Sequence, residues 1–211
     1  MIRLMIRLLQ ITSGLVMLLA PAFTMAQSVP ARPGPGLSAS RTIMAGSMLG
    51  VAISNAPDKA RLAIARPDDA ATRAIIVAEL SGRPSASLQT PGDAGSYELR
   101  LTQDRDGVPV ILLRQPLVTT PASATLSAPS RVARGNGLPV RGIGPNGEQD
   151  RVVIAPKDAA ADAAGPSFFP AENIEATLEA PETPGTYELR YVMHAPVAGH
   201  RILARQEITV E

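Results

Sequence analysis

The feature that most constrains this chain is an internal repeat. Residues 91–101 read PGDAGSYELRL, and residues 181–191 read PETPGTYELRY at an offset of 90 positions. Further blocks match at nearly the same offset: RLAIA with RVVIA, starting at 61 and 151, and ILLRQPLVT with ILARQEITV, starting at 111 and 202. The chain therefore contains two copies of one unit. We name them repeat 1 (37–119) and repeat 2 (124–211).

The apolar pattern within each repeat has a period of two, which is typical of β-strands. Tyr97, Leu99 and Leu101 alternate with polar residues, and short β-rich segments are separated by Gly, Pro, Asn or Asp every 8 to 12 residues. About seven strands in about 85 residues is the number expected of an immunoglobulin-like β-sandwich. The sequence thus predicts an all-β protein with two tandem immunoglobulin-like β-sandwich domains after an N-terminal signal peptide.

The signal peptide is predicted over residues 1–26. Arg3 and Arg7 precede a short apolar run, and a small residue occupies position 26 before the expected cleavage point. The run is shorter than a membrane-spanning helix requires, so we expect cleavage and no membrane insertion afterwards. Residues 27–36, QSVPARPGPG, form a predicted Pro/Gly-rich linker. The protein is expected in the bacterial periplasm or outside the cell.

Composition excludes several function classes. The chain has no cysteine, which removes disulfides, thiol nucleophiles and thiolate metal sites. Its formal net charge is +1, so it has no strong basic field for nucleic acid. It has no Gly-x-Ser-x-Gly nucleophile motif, and its carboxylates are scattered rather than paired, with Asp68, Asp69, Asp104 and Asp106 in turn-like segments. We predict no enzymatic activity and no cofactor.

The repeated strand entrance supplies the candidate structural motif. A tyrosine near the start of the penultimate strand of such a sandwich buries its ring and bonds its hydroxyl to upstream backbone. The motif residues are Gly95, Tyr97, Leu99, Gly185, Tyr187 and Leu189. The intervening pairs, Glu98 with Arg100 and Glu188 with Arg190, are expected to be solvated and to contribute at most about 1 kcal/mol each.

Two other groups of residues are candidates for binding. Phe168 and Phe169 are interaction candidates, and strand alternation directs at least one of the two rings inward. His194 and His200, the only histidines, lie six positions apart and could face each other across a hairpin. A shared metal is one interpretation, and exposed loop histidines are the favoured one, because no third ligand is suitably spaced.

Repeat 2 resembles the β-sandwich module that accompanies von Willebrand factor A domains in secreted proteins of alphaproteobacteria and their relatives. The resemblance rests on Gly144-Pro145-Asn146, Asp150, the block Ala180 to Tyr191 and the strand Leu203 to Val210. Repeat 1 matches more loosely. The resemblance implies fold and export, while the A domain and its Asp-x-Ser-x-Ser metal motif are absent from the sequence.

Two functions follow as hypotheses. The first is a non-enzymatic protein-interaction or spacer module of the periplasm or envelope, whose partner is another envelope or periplasmic protein. The alternative is a periplasmic chaperone-like assembly factor with two immunoglobulin-like domains. The evident duplication of one unit favours the first, because such chaperones have dissimilar domains.

Overall fold

The computed structural model describes residues 33–211. The predicted signal peptide 1–26 and positions 27–32 of the predicted linker lie outside the described residues. All regular secondary structure in the described part is β-strand. Correspondingly, no helix within residues 33–211 has the length and apolar character needed to cross a bilayer.

Repeat 1 consists of eight strands in two sheets. The three-stranded sheet has the order β1-β3-β6, and the five-stranded sheet has the order β2-β8-β7-β4-β5. β1 pairs antiparallel with β3, whereas β2 pairs parallel with β8, so the first edge strand is divided between the two sheets. The strands are β1 (Gly36–Ala39), β2 (Thr42–Met44), β3 (Met48–Ser54), β4 (Ala60–Ala65), β5 (Ile76–Glu79), β6 (Ser85–Gln89), β7 (Gly95–Arg105) and β8 (Val108–Thr120).

Repeat 2 has the same strand order. Its sheets are β9-β11-β14 and β10-β16-β15-β12-β13, so each strand of repeat 1 has an equivalent eight strands later. This arrangement confirms the predicted fold of two tandem immunoglobulin-like β-sandwiches. The strands are β9 (Thr125–Ser127), β10 (Arg131–Val132), β11 (Gly137–Ile143), β12 (Arg151–Pro156), β13 (Ser167–Phe168), β14 (Glu175–Glu179), β15 (Gly185–Ala195) and β16 (Gly199–Val210).

Each repeat has its own aliphatic core between its two sheets. Strand β3 shows the cause: Leu49, Val51 and Ile53 are buried and the residues between them are exposed. Leu138 and Val140 do the same in β11. Removing these side chains from water is the main stabilising term, about 1.5–3 kcal/mol for each fully buried Leu, Ile or Val.

Tight turns fix the register of the long hairpins. The β7–β8 hairpin turns at Asp106 and Gly107, whose φ angles are 52° and 80°. Two successive positive φ values define the turn whose twist matches that of paired strands. The β-bulges lie at equivalent positions, between Leu101 and Thr102 in β7 and between Tyr191 and Val192 in β15. Both repeats therefore bend at the same point.

Candidate functional site

The two motif tyrosines lie at the start of β7 and β15 and bond to backbone four residues upstream. The Tyr97 hydroxyl donates to the Asp93 carbonyl at 3.3 Å, and the Tyr187 hydroxyl donates to the Thr183 carbonyl at 3.0 Å. Leu99 and Leu189 are fully buried in the two cores. Burial, followed by the charge of Asp93, raises the pKa of Tyr97. These tyrosines hold the turn that precedes the strand, and Gly95 and Gly185 begin the strands themselves.

The prediction that the Glu and Arg beside each tyrosine are solvated pairs is wrong. Arg100 and Arg190 have exposed fractions of 1% and 0%. They do lie on the strand face opposite the core, but a long connection folds over that face: residues 66–75 in repeat 1 and 157–166 in repeat 2. Strand alternation identifies the side that faces the core and carries no information about a loop that covers the other side.

Each buried guanidinium is held by loop carbonyls. Arg190 donates to the carbonyls of Pro156, Ala159 and Ala160 at 3.1, 2.8 and 3.0 Å, and its Nε donates to Glu188 at 2.7 Å.

Arg100 makes the equivalent set in repeat 1. It donates to the carbonyls of Arg66, Pro67 and Ala70 at 2.8, 3.3 and 3.2 Å, and to Glu98 at 2.9 Å. Because both repeats keep the same contacts, the Glu-x-Arg pair fastens the long connection to the sheet. Its retention in both repeats, while neighbouring outward positions differ, was the available sequence signal.

The carboxylates of these pairs are shared with a second arginine. Glu188 also accepts from Arg205 at 3.1 Å, as Glu98 does from Arg114 at 2.9 Å. Burial alone would raise the pKa of Glu188, but the hydrogen bond and charge of Arg190 together with Arg205 outweigh burial and hold it below its usual value. Glu188 is therefore ionised and structural rather than a proton donor.

The two phenylalanines divide between core and solvent. Phe168 lies on the short strand β13 and packs against the core of repeat 2. Phe169 follows the strand and is 46% exposed. A single exposed ring is ordinary for a protein surface.

His194 and His200 face each other across the β15–β16 hairpin. Their rings stack with centroids 4.2 Å apart and planes 8° from parallel. Within residues 33–211, no three His, Cys, Asp or Glu side chains come together as a potential metal site. The backbone of His194 is the more informative part, since its N–H donates to Asp150 at 2.9 Å and its carbonyl accepts from Gln89 of repeat 1 at 2.9 Å.

Asp150 is the centre of a buried hydrogen-bond cluster. One carboxylate oxygen accepts from the His194 N–H, and the other lies 2.9 Å from both the Gly147 N–H and the Tyr191 hydroxyl. That hydroxyl also lies 3.0 Å from the Asn146 side-chain oxygen and accepts from the Asn146 N–H at 2.9 Å. Three of the residues that carry the family resemblance, Asn146, Asp150 and Tyr191, thus belong to a single cluster.

The cluster shifts the ionisation of its members. Burial raises the pKa of Asp150, and the hydrogen bonds from His194, Gly147 and Tyr191 only partly oppose it. The pKa of Tyr191 is raised strongly, by burial and then by the nearby Asp150 charge. A tyrosine with a raised pKa stays protonated and acts as a hydrogen-bond donor rather than as a base.

This cluster adjoins a direct contact between the two repeats, which we call the joint. The joint is formed by turns 44–47 and 89–93 of repeat 1 and by segments 144–150 and 193–201 of repeat 2. Arg201 donates to Asp93 at 2.7 Å and to the Gly92 carbonyl at 3.2 Å, while the Gly92 N–H donates to the Pro196 carbonyl at 2.9 Å. Gln89 extends from repeat 1 to the His194 carbonyl.

Glycine at position 92 permits this close approach. A Cβ there would come within 2.6 Å of the Ala198 Cβ and 2.9 Å of both Ala195 and the Met193 terminal methyl. A side chain at Gly92 would force the two repeats apart, because these neighbours are short or tightly packed.

The joint uses residues that the other repeat lacks. The positions of Asp150 and Tyr191 are taken by Ala60 and Leu101 in repeat 1, by the strand alignment. The positions of Gln89, Gly92 and Asp93 are taken in repeat 2 by other residues: Glu179, Glu182 and Thr183. Repeat 2 therefore has both the buried acid and its tyrosine partner, and repeat 1 has neither. In repeat 2 the pair lies at the end that contacts repeat 1.

The surface grooves hold no catalytic arrangement that we can identify among the described residues. One, about 660 Å³, runs over β9, β11 and β14 and contains the ion pair of Arg141 with Glu175. A second, about 530 Å³, is lined by residues 58–61 and by Glu79, Ser81 and Gly82. The lining residues of these two grooves include no histidine.

Comparison with known proteins gives similar structures but no similar sequence. No protein-family model matches the chain, and no curated protein matches it. The FN1–FN3 domains of chicken CNTN1 align over 82% of this chain and 66% of that one, with 10% identity and a TM-score of 0.32. A two-domain fibronectin type-III segment of chicken tenascin aligns over 85% and 99%, with 14% identity and a TM-score of 0.32.

The ligand-binding domain of human OSCAR also aligns, over 84% of this chain and 98% of that one. The identity is 21% and the TM-score is 0.28. The assignment of two immunoglobulin-like sandwiches rests on the strand order of this protein itself.

Proposed function

We propose that this protein is an exported, non-enzymatic tandem β-sandwich that serves as a protein-interaction or spacer module in the bacterial periplasm or cell envelope. The observation that carries the proposal is the joint. Asp150 and Tyr191, the buried ionisable pair of repeat 2, are bonded to each other. Asp150 also accepts from the His194 N–H, and the His194 carbonyl accepts from Gln89 of repeat 1, so the pair supports the contact between the repeats. Tandem sandwiches joined in this way present edges and loops to partners.

Export is supported by the sequence of residues 1–26, with its basic start and short apolar run. We expect the protein in the periplasmic fraction of its native host, with Gln27 as the first residue of the mature chain. Fractionation followed by N-terminal sequencing tests this. A full-length protein retained in the cytoplasm would contradict export without bearing on the interaction role.

The interaction role is tested by cross-linking the tagged full chain in the native envelope and identifying its partners by mass spectrometry. We expect one envelope protein to be cross-linked in a stoichiometric amount to this chain. Because of the resemblance of repeat 2, a protein with a von Willebrand factor A domain is a specific candidate for that partner. Capture of a pilin-like subunit would instead support the chaperone alternative. Catalytic conversion of a small substrate by the purified chain, with many turnovers per protein molecule, would contradict both the interaction role and the chaperone alternative.

A further inference from the structure

Strand β5 forms an open edge of the five-stranded sheet of repeat 1. It pairs with β4 on one side, and the described residues provide no strand on its other side. Native proteins usually protect such an edge with charged residues, prolines or a very short strand, because its free backbone groups can pair with another chain.

The equivalent edge of repeat 2 is more strongly protected than that of repeat 1, where β5 has four residues and ends at the charged Glu79. In repeat 2, strand β13 has two residues and lies between Pro166 and Pro170. In repeat 1 the edge instead passes through five consecutive apolar residues, 74–78, without proline or charge. Val77 at the centre of β5 is 56% exposed. The difference between two copies of one unit marks this edge as a contact surface.

The backbone of β5 has groups available for pairing. Leu80 donates its N–H to the Ala60 carbonyl, and Leu62 and Ile64 of β4 lie opposite Ala78 and Ile76. Because backbone groups alternate in direction along an antiparallel strand, those of Val77 and Glu79 point away from β4. The Glu79 carbonyl accepts from the exposed Arg83 side chain at 3.4 Å, a long bond that another strand can replace. Val77 therefore combines an outward backbone with an exposed aliphatic side chain.

The edge sequence is complementary to itself. Residues 73–79 read RAIIVAE, with a cation at one end, an anion at the other and apolar residues between. If two β5 strands pair antiparallel with Val77 opposite Val77, Glu79 of each chain lies opposite Ile75 of the other. Arg73 lies in the connection two residues before Ile75, so its long side chain starts near the Glu79 of the other chain.

The present partners of these two charges do not prevent this pairing. Arg73 lies 3.6 Å from Asp69 and Glu79 lies 3.5 Å from Arg61, and the Arg73 and Glu79 side chains are 79% and 73% exposed. Exposed ion pairs of this kind are weak and can rearrange at little cost.

We propose that two copies of this protein associate through antiparallel pairing of β5 with β5, related by a two-fold axis at Val77. The two five-stranded sheets then form one continuous sheet across the axis, and the same patch is used on both chains. One short strand pair buries little area, so we expect a weak dimer with a dissociation constant of about 10 μM to 1 mM.

Sedimentation velocity of the full chain from micromolar to millimolar concentration tests this proposal. We expect a concentration-dependent dimer that Val77→Lys and Val77→Pro each weaken about tenfold or more, since a lysine or a proline blocks edge pairing while the bonds to β4 remain. Val108→Lys is the matched control, because Val108 is 55% exposed but lies at the β7–β8 turn; it should leave the dimer unchanged.

A charge exchange tests the register. Arg73→Glu and Glu79→Arg, taken singly, should each weaken the dimer about twofold to tenfold, and an equimolar mixture of the two variants should associate more tightly than either alone. Misfolding of either variant could not produce that recovery. Amide hydrogen exchange at Val77 should slow as the concentration rises.

Three results would overturn the proposal. The first is a monomer at every concentration. The second is a dimer that Val77→Lys and Val77→Pro leave intact, which would place the interface elsewhere. The third is Val77-dependent binding of a different protein by a chain that does not self-associate, which would assign the edge to another partner.

Discussion

Asp150 supports the joint through its hydrogen bond from His194, although burying its carboxyl group costs desolvation free energy. Three donors, the N–H groups of Gly147 and His194 and the Tyr191 hydroxyl, surround its carboxylate. These bonds offset part of the desolvation, yet burial still raises its pKa. Repeat 1 has Ala60 at the equivalent position and so avoids this cost.

Asp150→Asn is expected to destabilise the protein by about 1–3 kcal/mol at low pH, because the amide NH₂ must face one of the donors that the carboxyl group accepts from. The folded pKa of Asp150 is raised, so its stabilising contribution is complete below the unfolded pKa and declines as pH rises through the folded pKa. The stability difference between wild type and variant should therefore be largest near pH 3 and smaller at pH 7.

Urea unfolding of both proteins across this pH range measures that difference. Subtracting the variant removes the contributions of the other carboxyl groups. A difference that grew with pH would mean that the folded pKa of Asp150 is lowered, contrary to the environment described.

At the scale of elements, the long connections are held to their sheets by a buried arginine. In repeat 2, residues 157–166 contain no core-forming strand and depend on Arg190, which bonds three of the nearby carbonyls. The same device in repeat 1, built on Arg100, shows that it belongs to the unit and not to the joint.

Arg190→Met is expected to lower the free energy of unfolding by about 2–4 kcal/mol, since it leaves loop carbonyls and part of Glu188 without their buried donor. Arg205→Met is the matched control. Its side chain is half exposed and shares the same carboxylate, so its loss should cost less than about 1 kcal/mol. Equal effects in denaturant unfolding would argue against the fastening role.

At the scale of the whole molecule, the joint decides whether the two sandwiches behave as one unit. Its direct bonds include the ion pair of Arg201 with Asp93 and the contact of Gln89 with the His194 carbonyl. Residues 33–211 cluster as a single compact unit. The short connection between β8 and β9, residues 121–124, adds a covalent restraint.

Gly92→Glu introduces at the joint the residue that repeat 2 carries at the equivalent position. We expect the contact between the repeats to open, because Ala195 and Ala198 leave no room for a side chain. Small-angle scattering should show a larger radius of gyration, and unfolding should separate into two transitions. Gly50→Glu, at an exposed position of β3 with no atom within 4 Å of the added Cβ, should change neither. An unchanged scattering profile for Gly92→Glu would contradict a close joint.

The sequence by itself determined the two-sandwich fold, since period-two alternation and the internal repeat depend on local pattern and on matching letters. It also directed Tyr97, Leu99, Tyr187 and Leu189 inward, because strand alternation fixes the core face. Arg100 and Arg190 are buried because long connections fold over the sheet face opposite the core. The alternation of apolar and polar residues along a strand contains no information about a connection that covers that face. The Asp150 cluster and its contact with Gln89 required the relative placement of two ends that lie far apart in the chain. Those features come from tertiary packing, because they arise where two surfaces meet rather than from the order of neighbouring residues.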